Sequence, residues 1–531
     1  MPNLRLVPVH PIIFAIFPYI SFCAHNVEEV FPFGNPPIRL LFLLTLASTF
    51  LLALVWTLLQ RDLRRGCVIA SGYILLFFSY GHLLNFFPAL LGPLQLLGAS
   101  AVFFCALPGI AKRIKDPQRT TAVLNLMAFL MILLPAYQIV VFKWKQDASP
   151  APEDPSLFFK KEIRGPKMDI YYIILDGYAE GRILKEVYGY DNTEFLDFLS
   201  AHGFVVLDRA LTNYAVTHFS LASSLNMMHL IPRANEGTPT AARTRVPVGN
   251  LIRQNRVMKL FKELGYKTFN VVSYWNITSF IDIADHNVEE PISPEHLLEY
   301  ERFAERRADW TLDYFKQNEL SRTFLRTTLI GPWWDMHPKI KQEDYLMPFG
   351  TIKSIAKIPG PKMVLAHIVA PHPPYVVDAK CKSLPKPKGG FYGTSWHMKK
   401  MYIDQLTCVN QEVKELVKFL LASETSSPEP IIIIQADHGP GSLTADIQDT
   451  GPVSDAGPQG ILERMSILNA LHLPGKSSSD IPENLTPVNT FRVILNQYFA
   501  TELDLLPNIA FFSTYDKSGQ FIEVSPLIDE H

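Results

Sequence analysis

Hydrophobic and polar positions divide the chain near residue 145. Before that point the sequence is almost continuously apolar. Five stretches, near 8 to 24, 38 to 60, 67 to 87, 89 to 111 and 122 to 142, have the character of membrane-crossing helices, each of which takes about 20 apolar residues. The first is interrupted by Pro8, Pro11 and Pro18. Residues 146–166, within QDASPAPEDPSLFFKKEIRGPK, are rich in proline and charge and predict an extended linker along the membrane surface. From Lys167 the pattern changes again. The short apolar runs IYYIIL, GFVVLD, TFNVVS, MVLAHIVA, IIIIQA and MSILNAL alternate with helix-like stretches such as TEFLDFLSAHG, VMKLFKELG and DQLTCVNQEVKELVKFLLAS. That alternation predicts an α/β layered domain over 167–531 with a mostly parallel sheet.

Charge placement adds an orientation. Arg61, Arg64 and Arg65 lie in one short loop of the apolar region, and Lys112, Arg113, Lys115 and Arg119 in another two spans later. Basic short loops stay cytoplasmic, so with five spans over 1–145 the N-terminus is inside and the domain at 167–531 outside. Glu28 and Glu29, in the first external loop, agree; Lys143 and Lys145 count mildly against it. The net charge of −2 gives no indication of nucleic-acid binding. Of five cysteines, only Cys381 and Cys408 lie beyond the apolar region, enough for one disulfide outside the cytoplasm but not proof of it.

Candidate chemistry sits at the ends of two apolar runs. Asp176 follows IYYIIL, and Asp437 and His438 follow IIIIQA. Open α/β sheets bind ligands at the carboxyl ends of their strands, so both carboxylates are expected in one crevice. There they repel each other and lose hydration unless a cation balances them, which points to a divalent metal. The alternative for either Asp alone is a helix cap. Between them Thr217 precedes a helix-like run, where free N–H groups and the helix dipole would hold an anion next to its hydroxyl. The alternative for Thr217 is an N-cap of a helix starting at His218. Ser220, Ser223 and Ser224 fall within that helix and are weaker candidates.

The order LDGY, Thr-x-x-Ser-Leu, PHPPY, ADHG resembles that of the alkaline phosphatase superfamily. In particular it is similar to sulfatase-like membrane proteins that include lipoteichoic acid synthases and lipid A phosphoethanolamine transferases. Those relatives join five N-terminal spans to an external catalytic domain, so the resemblance covers nearly the whole chain. It implies a five-helix transmembrane region followed by an alkaline phosphatase/sulfatase-like α/β domain. It also implies that Asp176, Thr217, Asp437 and His438 hold one divalent ion (Zn, Mn, Mg or Ca), with Thr217 doubling as nucleophile. A Thr hydroxyl is a poor nucleophile near neutral pH and needs a base or metal to activate it.

By the same resemblance His372 stands where relatives place a cationic or proton-donating residue beside the anion; its alternative is a turn histidine held by prolines. His397 and Asp404 are candidates for substrate binding or a second metal, with a solvated helix start as the rival reading. His367 reads as a core histidine of its strand. The Cys or Ser context of formylglycine sulfatases is missing at Thr217, which disfavours sulfate hydrolysis by that route. The expected function is a membrane-anchored phosphotransferase that takes a head group from a phospholipid, or another anionic ester, and passes it to an envelope acceptor. A sulfuric- or phosphoric-ester hydrolase and a non-catalytic envelope receptor are the alternatives. The implied location is the bacterial inner (plasma) membrane with the catalytic domain on the periplasmic or extracellular side; the oligomeric state is left open.

Overall fold

The computed structural model describes residues 6–26, 36–86, 93–147, 167–230, 248–273, 275–293, 295, 319–331, 342–390, 393–422, 428–447, 453–514 and 521–525. Most of the linker expected over 146–166, and the loop carrying Glu28 and Glu29, lie outside the described residues. The chain forms two compact units, 1–150 with 305–338, and 151–304 with 339–531. The sequence placed 305–338 with the α/β domain, so the division differs there.

The first unit contains α1 (His10–Asn26), α2 (Pro36–Gln60), α3 (Leu63–Phe86), α4 (Pro93–Lys112) and α5 (Pro117–Asp147). Within these, Ile38–Gln60, Leu63–Leu84, Leu94–Lys112 and Pro117–Phe142 are long and apolar enough to cross a membrane. The side chains of Leu54, Leu58, Val102 and Leu134 lie exposed along them, a disposition suited to lipid rather than water. At 17 residues α1 is shorter than these four. Its start is set by Asn125, whose Oδ1 accepts from the Val9 and His10 amides at 3.1 and 2.9 Å. Phe14, Ala15, Tyr19 and Cys23 bury one face of it. The helix Glu319–Arg326 packs here because Phe324 inserts between Tyr19 and Phe22, with ring centroids 4.4 and 5.3 Å away.

The second unit is built on a seven-stranded sheet of order β2-β9-β8-β1-β5-β3-β4. Its strands are β1 (Ile170–Leu175), β2 (Phe204–Val206), β3 (Lys267–Val271), β4 (His286–Val288), β5 (Lys362–Ile368), β8 (Ile431–Gln435) and β9 (Asn469–His472); β6 (Tyr375–Val377) and β7 (Ser383–Lys388) form a separate hairpin. β8, β1, β5, β3 and β4 run parallel, while at one edge β9 pairs antiparallel with β8 and β2 antiparallel with β9. β1 and β8 are buried at every position, which is why both read as unbroken apolar runs. Their register pairs Ile174 with Gln435, and β5 sets His367 beside Ile174 on the other side. β4 and the β6–β7 hairpin are too short or too polar to announce themselves in the sequence.

The long helix Lys399–Ala422 buries Tyr402, Leu406, Val409, Val413, Leu416, Val417 and Leu420, a helical spacing that turns one face to the core. Cys408 on that helix is joined to Cys381 by a disulfide, which ties the β6–β7 hairpin to the core. Closing a loop with a sequence separation of 27 restricts the unfolded chain by about 3.5 kcal/mol. Replacing both cysteines by Ala should therefore lower the stability of the α/β unit in denaturant by about that amount, and reductant should destabilise the wild type but not the variant. Equal midpoints for oxidised wild type and variant would refute the bridge's contribution.

Candidate metal centre

The register of β1 and β8 creates the site. Asp176 and Asp437 each stand two residues beyond the paired positions Ile174 and Gln435, so the two carboxylates leave adjacent parallel strands at one level. Each is anchored locally. The Asp176 amide donates to Ile368 O at 3.0 Å, and its carbonyl accepts from the His372 amide at 3.1 Å. Asp437 Oδ1 accepts from the Gly177 amide at 3.1 Å, and its carbonyl from Thr212 Oγ1 at 2.6 Å. Gly177 has φ +74°, and a Cβ there would lie 2.7 Å from the Trp396 ring. Gly439, after His438, has no room for one either, since it would meet Glu463 O at 2.1 Å.

His438 Nε2 is the centre of the cluster. It lies 3.5 Å from Asp176 Oδ1, 3.4 Å from Asp437 Oδ2 and 3.0 Å from Thr217 Oγ1. Neighbouring ligands of a tetrahedral ion bound at roughly 2.0 to 2.1 Å are about 3.3 Å apart, so these separations suit one small divalent cation. The imidazole's other nitrogen, Nδ1, is 2.9 Å from Gly439 O. A proton there donates to that carbonyl and leaves Nε2 as the unprotonated nitrogen that can ligate a metal. Asp176 Oδ1 and Asp437 Oδ2 are buried with no hydrogen-bond partner, a costly state that a cation would relieve. The residues present fit a divalent ion.

Thr217 is the first residue of the helix Thr217–Asn226, whose N-cap is Val216. Its hydroxyl is therefore not spent on capping and faces His438. Ser220 Oγ instead lies 3.2 Å from Thr212 Oγ1, within the contacts that hold the Asp437 backbone. His372 is held by Gln405, whose Nε2 donates to the Pro371 and His372 carbonyls at 3.3 and 3.1 Å. Its ring lies 6.2 Å from that of His438 and edge-on to Trp396 at 4.9 Å. His397 and Asp404 are not in the cluster: His397 Nε2 is 2.9 Å from Asp446 Oδ1, and Asp404 pairs with Lys400 at 2.6 Å.

Charge is finely opposed here. Burial and the neighbouring Asp176 charge push the Asp437 carboxyl up to about 7. Burial acts on Asp176 too, but His372, His367 and His438 outweigh it and hold that carboxyl below the usual range. Two like charges this close share one proton. Burial pulls the His372 and His438 imidazoles down, Asp176 partly opposing it in both.

Two residues here carry more than the sequence suggested. His367 is a core histidine by burial, yet its Nε2 is 3.5 Å from Asp176 Oδ2 and its Nδ1 2.9 Å from Thr278 Oγ1. Arg464, on the helix Gly457–Met465, reaches His438 Nε2 with Nη2 at 3.0 Å. Its neighbour Glu463 accepts from the Ser442 and Leu443 amides at 2.9 and 2.8 Å, fixing the loop after the cluster. A basic residue far along the chain carried no local signal of this contact.

No protein-family model and no curated protein matches the chain. Among solved structures it is similar to the C-terminal periplasmic domain of EptC from Escherichia coli in complex with Zn, at 15% identity over 69% of this chain and 94% of that one, TM-score 0.40. It is also similar to the integral membrane lipooligosaccharide phosphoethanolamine transferase A from Neisseria meningitidis, at 11% identity over 92% and 94%, TM-score 0.40. A third is the phosphonate monoester hydrolase of Agrobacterium radiobacter, at 12% identity over 65% and 80%, TM-score 0.39. At TM-scores this low, the chain's chemistry has to be read from its own residues.

The raised Asp437 gives the cluster a pH signature. A ligating carboxylate must be ionised, so apparent metal affinity should fall as pH drops through about 7, by roughly tenfold per unit, and level off above. Zinc titration calorimetry in buffers of different ionisation enthalpy should record close to one proton released at about pH 6 and close to none at about pH 8. The same proton release at both would refute a ligating Asp437 with its carboxyl raised by burial.

Proposed function

We propose that this chain is a membrane-anchored, metal-dependent phosphotransferase that uses Thr217 as its nucleophile on a phospholipid head group. The observation that carries the reading is the Thr217 hydroxyl, uncapped at a helix start and 3.0 Å from His438 Nε2, beside two buried carboxylate oxygens without partners. Asp176, Asp437, His438 and Thr217 would hold the ion, which when bound lowers the hydroxyl pKa and neutralises charge on the phosphoryl oxygens.

The chain's own groups account for the rest. As Thr217 Oγ1 bonds to phosphorus, the bond from phosphorus to the leaving oxygen breaks. The hydroxyl proton is lost as the new bond forms, and the departing oxygen takes up one proton, so the proton count is unchanged. In the second half an acceptor hydroxyl loses its proton and attacks the phosphothreonine, and Thr217 Oγ1 recovers a proton. The positive end of the helix dipole at the start of Thr217–Asn226 favours the anion. His372 Nδ1 lies 2.6 Å from Pro373 O; a proton on Nδ1 would leave Nε2 as a proton acceptor, a role suited to activating the incoming hydroxyl. With water as that acceptor the same site is a hydrolase.

Four apolar helices of membrane-crossing length support the anchor, and α1 is proposed as a fifth span on the strength of its buried packing and the basic loops. The Cys381–Cys408 disulfide supports an oxidising compartment for the α/β unit, as expected for a periplasmic or extracellular domain. A donor phospholipid would then share the membrane with the anchor.

Thr217→Ala should lower head-group release from mixed phospholipids by three or more orders of magnitude, with Thr217→Ser retaining part and Ser220→Ala most of the activity. Mass spectrometry of wild type trapped with donor alone should find the phosphoryl head group, as a phosphodiester, on the peptide carrying Thr217. Wild-type turnover by folded, metal-loaded Thr217→Ala would refute the covalent route. A reporter fused after Lys167 should be active only outside the cytoplasm; cytoplasmic activity would overturn the five-span topology.

A further inference from the structure

Arg464 is buried, at 2% exposed, and among the described residues its guanidinium meets no carboxylate. Nε donates to Ala215 O at 2.7 Å, Nη1 to Gly439 O at 3.1 Å, and Nη2 reaches His438 Nε2 at 3.0 Å. The Trp396 ring lies 5.9 Å from the guanidinium carbon. A guanidinium has five N–H donors, so among the described residues one on Nη1 and one on Nη2 have no acceptor. The carboxylates of Asp176 and Asp437 stand beyond His438 Nε2, 3.5 and 3.4 Å from that nitrogen, so the guanidinium faces the cluster without a direct ion pair, and a buried charge lacking one is costly. Structural support for two carbonyls alone does not explain a cation here, since neutral donors serve that purpose more cheaply.

The contact with His438 adds a second argument. Its Nε2 has one lone pair, which Arg464 Nη2 now uses and which a metal held by Asp176, Asp437 and Thr217 would need. Metal uptake would thus deprive Nη2 of its protein acceptor. Thr217 Oγ1 and Arg464 Nη2 are each 3.0 Å from that nitrogen, and so no more than 6.0 Å apart. A tetrahedral anion approaching Thr217 therefore brings its oxygens within reach of the guanidinium edge.

We infer that Arg464 is the anion-binding residue of the site: the Nη1/Nη2 edge receives two non-bridging oxygens of the ester's phosphoryl group while Thr217 meets phosphorus. The inference rests on the phosphotransferase reading. A planar fork matches paired phosphoryl oxygens in a way that a lysine ammonium cannot. One substrate negative charge would then be balanced by Arg464, leaving the two carboxylates to the divalent ion.

The test uses the full chain in detergent, titrated with zinc and then with inorganic phosphate, with and without zinc. Arg464→Gln should keep zinc affinity equal to or above wild type, because a competitor for the His438 lone pair is gone, and lose phosphate affinity by at least tenfold. Arg464→Lys, which keeps the charge without the fork and guards against misfolding of the Gln variant, should bind phosphate several-fold more weakly than wild type. Phosphate affinity within twofold of wild type in either folded variant would overturn the inference, as would a zinc affinity that collapses in both variants. Should wild type take up no zinc, the phosphotransferase reading fails separately, and the zinc-free phosphate titrations still decide the role of Arg464.

Discussion

Two carboxylates brought side by side out of water are the constraint around which the α/β unit is arranged. The parallel register of β1 and β8 puts Asp176 and Asp437 at one level, and their unpartnered oxygens both face His438 Nε2. Such a pair survives only if something of opposite charge sits between or beside it. In the protein alone a shared proton and three imidazoles do part of that work. A divalent cation would do all of it, and would at the same time sit against the Thr217 hydroxyl.

Holding this arrangement falls largely to one helix end. Glu463 and Arg464 are consecutive, yet the first gathers the amides of Ser442 and Leu443 and the second the carbonyls of Ala215 and Gly439. The loop bearing His438 and the approach to Thr217 are thus fixed from the same place. Gly439 is required because that helix end passes against its α-carbon. Trp396 packs against Gly177 and His372, and Gln405 ties down the proline loop.

How much of this was legible depended on whether the signal was local. The runs at β1 and β8 and their acidic ends are visible because burial on both sheet faces forces continuous apolar residues, so Asp176, Asp437 and His438 were placed by their strands. Thr217 was visible as a hydroxyl before a helix, though only the structure shows that Val216 and not Thr217 is the cap. His367 was not: in a strand buried on both faces, alternation does not say which side meets a neighbour's carboxylate. Arg464 was not, because its role arises from where a helix far along the chain ends. The helix Glu319–Arg326 was missed for the same reason, since Phe324 finds its partners, Tyr19 and Phe22, some 300 residues earlier.

The central claim is that Asp176, Asp437, His438 and Thr217 surround one divalent ion. Anomalous scattering from crystals grown with zinc tests it most directly. The account predicts a single strong peak at about 2.0 to 2.2 Å from Asp176 Oδ1, Asp437 Oδ2, His438 Nε2 and Thr217 Oγ1. A fully occupied ion elsewhere, with His438 Nε2 still bonded to Arg464 and both carboxylate oxygens bare, would contradict it.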